Sequence, residues 1–239
     1  MKTASPRPLR GIHWFKAIDE AILAEVAETA TWTEYAEGEY LWRAGEKATS
    51  FVFIARGLVQ VVKPSNRGEE STLGLFGPGE GVGNVASMGA ATYPAAAIAA
   101  SSPLVVLRVQ GPAMLDIIRR HQSMMEASNR QLIEHTRTLR VKIDVLTAGS
   151  VSARLALLLL HLAERFGDEG PDGLVSIPIP LSRNSLAKLV GAREETVIRA
   201  MSVWRQEGWV STDASGFTLH EIEPLKALLG DGDSPLSEG

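Results

Sequence analysis

From Gln122 to Ala148 the chain contains neither glycine nor proline, and within that stretch Met125, Leu132, Leu139 and Leu146 recur at every seventh position. Uninterrupted helix-compatible sequence of this length predicts one long helix, and a single apolar row repeating every seven residues is a seam for a partner helix. With those residues at d, the a positions are Gln122, Asn129, Thr136 and Ile143. A polar Asn129 at a is a device that fixes register in a parallel pair at some cost in stability. The reading favoured is a parallel homodimer with a seam of Met125, Asn129, Leu132, Leu139, Ile143 and Leu146. The alternative is that the leucine row packs on the chain's own neighbouring domain.

This helix divides the sequence into two textures. Before it, Phe15, Ile18, Ile22 and Val26 fall three or four apart and predict a short amphipathic helix. Short β-rich runs then follow between glycine turns: Phe51–Ile54, Leu58–Val62, Ser71–Phe76, Ala95–Ala100 and Leu104–Val109, with a polar tip at Pro64–Glu70 and a loop at Gly77–Gly83. Evenly spaced short strands predict a small antiparallel barrel or jelly roll. After it, Gly149-Ser150 breaks the helix and offers a cap. Val151–Phe166 then predicts a second helix that buries Leu155, Leu158, Leu159 and Leu162. The expected divisions are a sensor-like domain over 1–120, a dimerisation helix over 121–148, a second domain over 149–230 and a disordered acidic tail over 231–239.

The second domain holds the most informative stretch. Ser182 caps a helix with apolar spacing at Leu186, Leu189 and Val190, Gly191-Ala192 makes a tight turn, and Arg193–Trp204 forms a second helix. Val197, Met201 and Trp204 are expected inward on it, with Glu195, Thr196 and Arg199 outward. A strand at Gly208–Thr212, a turn at Asp213–Gly216 and a strand at Phe217–His220 add a wing. The pattern is a winged helix-turn-helix, a nucleic-acid-reading motif. The whole chain of 239 residues carries a net charge of −4, so it is no general polycation. Leu181–Val210, by contrast, holds five basic residues (Arg183, Lys188, Arg193, Arg199, Arg205) against three acidic ones (Glu194, Glu195, Glu207). That is a local basic face on an acidic molecule.

Barrel, long helix and winged helix in this order resemble the Crp/Fnr family of bacterial transcription regulators, over roughly Phe15 to Leu229. The resemblance is most specific in Val190-Gly191-Ala192-Arg193-Glu194-Glu195-Thr196-Val197-Ile198-Arg199. It implies an α+β chain with an N-terminal antiparallel jelly-roll sensor, a dimerisation helix and a C-terminal winged helix that binds double-stranded DNA, with RNA polymerase as a further partner. It also implies that Glu195 and Arg199 read a TGA core. The chemistry agrees, since arginine grips guanine O6 and N7 with two bonds and a carboxylate accepts from a cytosine amino group. Ser182, Arg183, Asn184, Arg193 and Thr196 match positions near phosphates, where contacts position rather than specify. Glu194 and Ile198 stand where the family's reading schemes vary, which leaves the base outside TGA open. The competing reading of Glu195 and Arg199 is an i,i+4 surface ion pair.

For the sensor, the resemblance implies a ligand loop of Gly-Glu followed by Arg-Ser, the carboxylate holding a ribose hydroxyl and the arginine a cyclic phosphate. Here Gly83-Asn84 and Tyr93-Pro94 stand in those places, and Leu139 and Arg140 replace the adenine-contacting hydroxyl pair. A buried phosphate without its cation is costly, so cyclic AMP is not the expected effector. The effector region comprises Gly83, Asn84, Val85, Met88, Tyr93, Pro94, Leu139 and Arg140. With no cysteine in the chain, disulfides, thiolate zinc sites and a cysteine-ligated iron–sulfur cluster are excluded. No metal site is expected. Haem remains an alternative cofactor, with His13, His121, His135 or Met88 as candidate axial ligands. A cyclic-nucleotide-responsive module is the other alternative.

Five scattered histidines and the lack of a glycine-rich phosphate loop ahead of a helix argue against an enzyme. No apolar stretch follows the basic start, and the longest apolar runs, Pro94–Leu107 and Leu155–Ala163, are broken well short of the roughly 20 residues of a membrane span. A soluble cytoplasmic protein is expected.

Overall fold

The computed structural model describes residues 2–3, 9–64 and 70–230. The tip at 65–69 and the tail at 231–239 lie outside the described residues. The chain divides into two compact units, Met1–Thr138 and Leu139–Gly239. The division falls inside the long helix.

In the first unit, strands β1 (Lys2–Thr3), β2 (Ala30–Tyr35), β3 (Tyr40–Trp42), β4 (Ser50–Arg56), β5 (Val59–Pro64), β6 (Glu70–Phe76), β7 (Gly81–Val82), β8 (Ala96–Ala99) and β9 (Leu104–Gln110) form two antiparallel sheets. Their orders are β1-β2-β9-β4-β7 and β3-β8-β5-β6. Phe51, Val52, Phe53 and Ile54 are all fully buried, because β4 has a core on each side. Val52 and Ile54 join Leu41, Trp42, Val59, Phe76, Ala97, Leu104 and Val106, drawn from both sheets. Phe51 and Phe53 face a second core built with Phe15, Leu23, Val26, Met114, Ile117, Met124 and Ala127. A strand buried on both faces reads as a continuous apolar run rather than as alternation.

That second core is roofed by α1 (Glu20–Glu28), α3 (Gly111–Arg120) and the start of α4 (Gln122–Thr147), while α2 (Asn84–Gly89) follows β7. The single helix expected across Phe15–Val26 is corrected here. Phe15 ends a 3-10 turn (His13–Phe15), and α1 begins only after Asp19, which is extended (φ −61°, ψ 147°). The four apolar residues are all buried as their spacing requires, but the turn is held separately by the His13 N–H to the Gly79 carbonyl, 3.2 Å. A side chain at Gly79 would meet the His13 ring at 2.7 Å, so that close approach needs glycine.

The long helix spans 26 residues. Its heptad row stays partly exposed. Met124, Ala127 and Ser128 are buried on its first part and Val145 near its end, and Gln131 Nε2 donates to the Gly81 carbonyl at 3.1 Å. Met125, Leu132, Leu139 and Leu146 are 39–47% exposed and Ile143 is 61% exposed. Within the first unit, Met125 and Leu132 are therefore not buried against the barrel.

The second unit continues with α5 (Val151–Phe166), whose cap Ser150 Oγ accepts from the Ala153 N–H at 3.1 Å. Leu155, Leu158, Leu159 and Leu162 are buried as expected. Next come β10 (Asp168–Glu169), β11 (Val175–Ile177), α6 (Arg183–Val190), α7 (Glu194–Gln206), β12 (Val210–Thr212), β13 (Phe217–Leu219) and α8 (Glu223–Ala227). The strands form one sheet in the order β10-β11-β13-β12. Gly191 closes α6 in the left-handed region at φ 63°. Replacing Gly191 by alanine should lower the unfolding free energy by about 1–2 kcal/mol, since the new Cβ would also meet Leu146 Cδ2 at 3.2 Å. Denaturant unfolding of wild type and variant checks this, and an unchanged midpoint would contradict it.

Candidate nucleic-acid interface

The turn between α6 and α7 is set by local chemistry. Ser182 Oγ accepts from the Ser185 N–H at 3.0 Å and starts α6, and the Ala192 N–H returns to the Ala187 carbonyl at 3.0 Å to end it. On α7, Val197, Met201 and Trp204 are buried at 3% exposure or less, which fixes the helix's rotation about its axis. The opposite surface carries Glu195 with Arg199, and the flank beside it carries Glu194 with Ile198, each pair four residues apart. Glu195, Arg199 and Ile198 are exposed, and Glu194 and Thr196 are half-buried. Among the described residues no ion pair joins Glu195 to Arg199, so both heads are presented to solvent rather than to each other.

The residues expected near phosphates divide into two groups. Arg193 is exposed at the start of α7, and its side chain makes no capping bond. Arg183 instead reaches the wing: its NH2 donates to Thr212 Oγ1 at 3.0 Å, and its guanidinium lies 5.9 Å from the centre of the Phe217 ring. Partial burial and the neighbouring Arg205 charge both pull its pKa below the ordinary arginine value. Asn184 Nδ2 donates to Glu194 Oε2 at 3.1 Å, so a side chain from α6 holds the carboxylate at the start of α7. The wing turn is held by Asp213, whose Oδ1 accepts from the Ser215 N–H at 2.7 Å and the Gly216 N–H at 3.2 Å.

A model of the cyclic nucleotide-binding domain matches residues 32–121, and one of the Crp-like helix-turn-helix domain matches residues 153–228. The chain belongs to the Crp/Fnr family of transcription regulators. It is 24% identical over 213 residues to the CRP-like cAMP-activated global transcriptional regulator of Mycobacterium tuberculosis, covering 88% of this chain and 93% of that one. It is 28% identical over 200 residues to the anaerobic regulatory protein of Bacillus subtilis, covering 82% and 83%. Among solved structures, FixK2 from Bradyrhizobium japonicum superposes with a TM-score of 0.72 at 20% identity, covering 83% of this chain and 96% of that one. Crp/Fnr members are DNA-binding regulators, not enzymes. No described helix is long and apolar enough to cross a membrane.

In this Crp/Fnr chain the sensor residues have internal partners. Asn84 is buried, and its Oδ1 accepts from the Val52 N–H at 2.8 Å. Tyr93 stacks on Trp42 with ring centres 4.2 Å apart and donates through its hydroxyl to the Ser50 carbonyl at 3.1 Å. Gly83 lies against that stack, since a Cβ there would meet Trp42 at 2.7 Å and Tyr93 at 3.0 Å. Val85 and Pro94 are exposed, and Met88 Sδ accepts from Ser128 Oγ at 3.8 Å. Leu139 and Arg140 belong to the second compact unit, where Arg140 lies 4.0 Å from Asp144. Of the candidate haem ligands, His121 Nε2 lies 3.2 Å from Glu25 Oε1, and burial lowers the pKa of His135. Among the described residues no three His, Cys, Asp or Glu side chains gather as a metal-binding group.

Two basic residues at the base of the reading motif were not singled out from the sequence. Lys142 Nζ, on α4, donates to the Leu189 carbonyl. Arg154 NH1, on α5, donates to the Val190 carbonyl at 3.1 Å and the Gly191 carbonyl at 3.4 Å. The one available sequence signal is a lysine beside the heptad row two turns before the Gly149 break, which is indistinguishable from a solvated flank. Burial pushes the Lys142 ammonium down from its ordinary 10.5 to about 8. Between those values the unfolded chain holds a proton that the folded chain releases, so this lysine's contribution to stability rises with pH. Denaturant unfolding below pH 8 and near pH 10 should show wild type gaining on Lys142→Met as pH rises. A constant difference would contradict the burial of the ammonium.

Proposed function

We propose that this regulator acts as a cytoplasmic homodimer, paired in parallel along α4, which binds a palindromic operator with TGA-containing half-sites about one helical turn apart. The observation that carries the reading is the exposure of Glu195 and Arg199 on the row of α7 opposite buried Val197, Met201 and Trp204. In the major groove Arg199 grips a guanine through O6 and N7, and Glu195 accepts from a cytosine N4 amino group. Arg193, Ser182 and Thr196 supply phosphate contacts, and Glu194 and Ile198 face the outer base. The held Glu194 carboxylate is then a second base acceptor on a rigid mount. RNA polymerase is the partner through which bound protein acts on transcription.

The dimer reading is supported by the bare row of Met125, Leu132, Leu139, Ile143 and Leu146, which only a second helix buries continuously. The effector is neither cyclic AMP nor an iron–sulfur cluster. Against cyclic AMP stand the absent carboxylate and guanidinium at Asn84 and Tyr93, and the internal bonds that both side chains already make. One relative is named as cAMP-activated, which makes the cyclic-nucleotide experiment the informative one.

Replacing Leu132 and Leu139 together by aspartate should give monomers in light scattering, and an unchanged dimer would overturn the seam. Arg199→Ala should cost about 1–3 kcal/mol and relax preference at one base, whereas Arg193→Ala should weaken all DNA alike and lower the salt slope by about one. Operator selection from a random library, with binding repeated across salt concentrations, separates the two. Full base preference in Arg199→Ala would return Glu195 and Arg199 to ordinary surface residues. Calorimetry with cyclic AMP and cyclic GMP should show no heat of binding, and micromolar affinity would reinstate the cyclic-nucleotide reading.

A further inference from the structure

The last carbonyls of a helix have no partner within the helix and carry the negative end of its dipole. At the end of α6 these are the carbonyls of Leu189, Val190 and Gly191. They are met from two other elements at once, by Lys142 on α4 and by Arg154 on α5. Leu146, a seam residue on α4, packs on the same turn, as its Cδ2 lies 3.2 Å from where a Gly191 side chain would begin. Capping the helix would need only water or one donor. Two cations from different helices, with a seam leucine against the same turn, do something further: they tie the turn of the reading motif to the flank of the seam. Leu139, Ile143 and Leu146 lie in the same compact unit as α6 and α7, so this tie joins the proposed two-fold axis to the reading head within one unit.

We propose that Lys142 and Arg154 are positioning residues that fix the recognition helix relative to the dimer axis, and that this clamp sets which half-site spacing the protein accepts. The proposal rests on the DNA-binding homodimer reading above. One added base pair moves a half-site by about 3.4 Å along the axis and about 35° around it. A head held by three hydrogen bonds and a packed leucine resists that displacement, and a head released from them follows it. Neither Lys142 nor Arg154 is placed at a phosphate or a base, so removing them leaves half-site reading and the counterion count in place.

The test uses the full-length protein on a panel of operators with constant half-sites and a centre shortened by one base pair, unchanged, or lengthened by one or two. Wild type should prefer one spacing by about tenfold or more, and Lys142→Met and Arg154→Met should compress that preference to about threefold or less. Base preference within the half-site and the salt slope should stay as in wild type. Lys142→Arg, which keeps a charged donor, should restore the spacing preference. Two results would overturn the clamp: methionine variants with the wild-type spacing preference, or uniform loss on every spacing that Lys142→Arg does not rescue, which marks a merely structural role. Failure of the underlying reading looks different. Wild type would bind single half-sites as well as palindromes, or Arg199→Ala on operators with altered half-site bases would leave base preference intact, and the clamp would fall with that reading.

Discussion

Everything in this chain depends on how the faces of one helix are divided. At a rise of about 1.5 Å per residue, the 26-residue α4 extends about 39 Å and serves two compact units. Met124 and Ala127 are buried in the first unit, and Val145 and Ala148 are buried near its other end. These contacts leave the heptad row 39–61% exposed. Had the leucines faced inward, the proposed dimer would lose this seam. Rotation of the helix about its own axis is thus the constraint from which both the sensor packing and the proposed symmetry follow.

The legible parts of the fold are those with local causes. Ser150 and Ser182 cap the helices that follow them, Gly191 adopts the left-handed conformation that a tight turn needs, and the α7 pattern of Val197, Met201 and Trp204 predicts which side is buried. Each depends on residues within a few positions of one another. The run Phe51–Ile54 is legible as a strand, but its two-sided burial emerges only once α1 and α3 lie across the sheet. Continuity between Phe15 and Val26 fails because periodic burial does not require a continuous helix. The His13–Gly79 contact that separates the pieces is distant in sequence.

The candidate site divides in the same way. The family resemblance singles out Glu195 and Arg199, and their i,i+4 spacing predicts only that they share a row on the helix. The roles of Asn184 and Arg183 are not found so. Their partners, Glu194 and Thr212, lie across a turn and across a sheet, and the bonds make both side chains supports, for the start of α7 and for the wing. Lys142 and Arg154 were invisible for a similar reason, since a carbonyl acceptor carries no signature in sequence. In the sensor, Asn84 and Tyr93 are readable as departures from a ligand-binding pattern. What they do instead, holding Val52 and Ser50 backbone groups, is known only from geometry.

The central claim is that Arg199 reads a guanine through its Hoogsteen edge, and a thermodynamic cycle on that one contact tests it most directly. Binding of wild type and Arg199→Ala would be measured on an operator with guanine or 7-deazaguanine at each half-site position in turn, since the analogue lacks only the N7 acceptor. At one guanine per half-site, 7-deazaguanine should weaken wild type by about 1 kcal/mol or more and leave Arg199→Ala unaffected, a coupling expected only of groups in contact. Equal losses in both proteins at every guanine, with no coupling anywhere, would contradict the account.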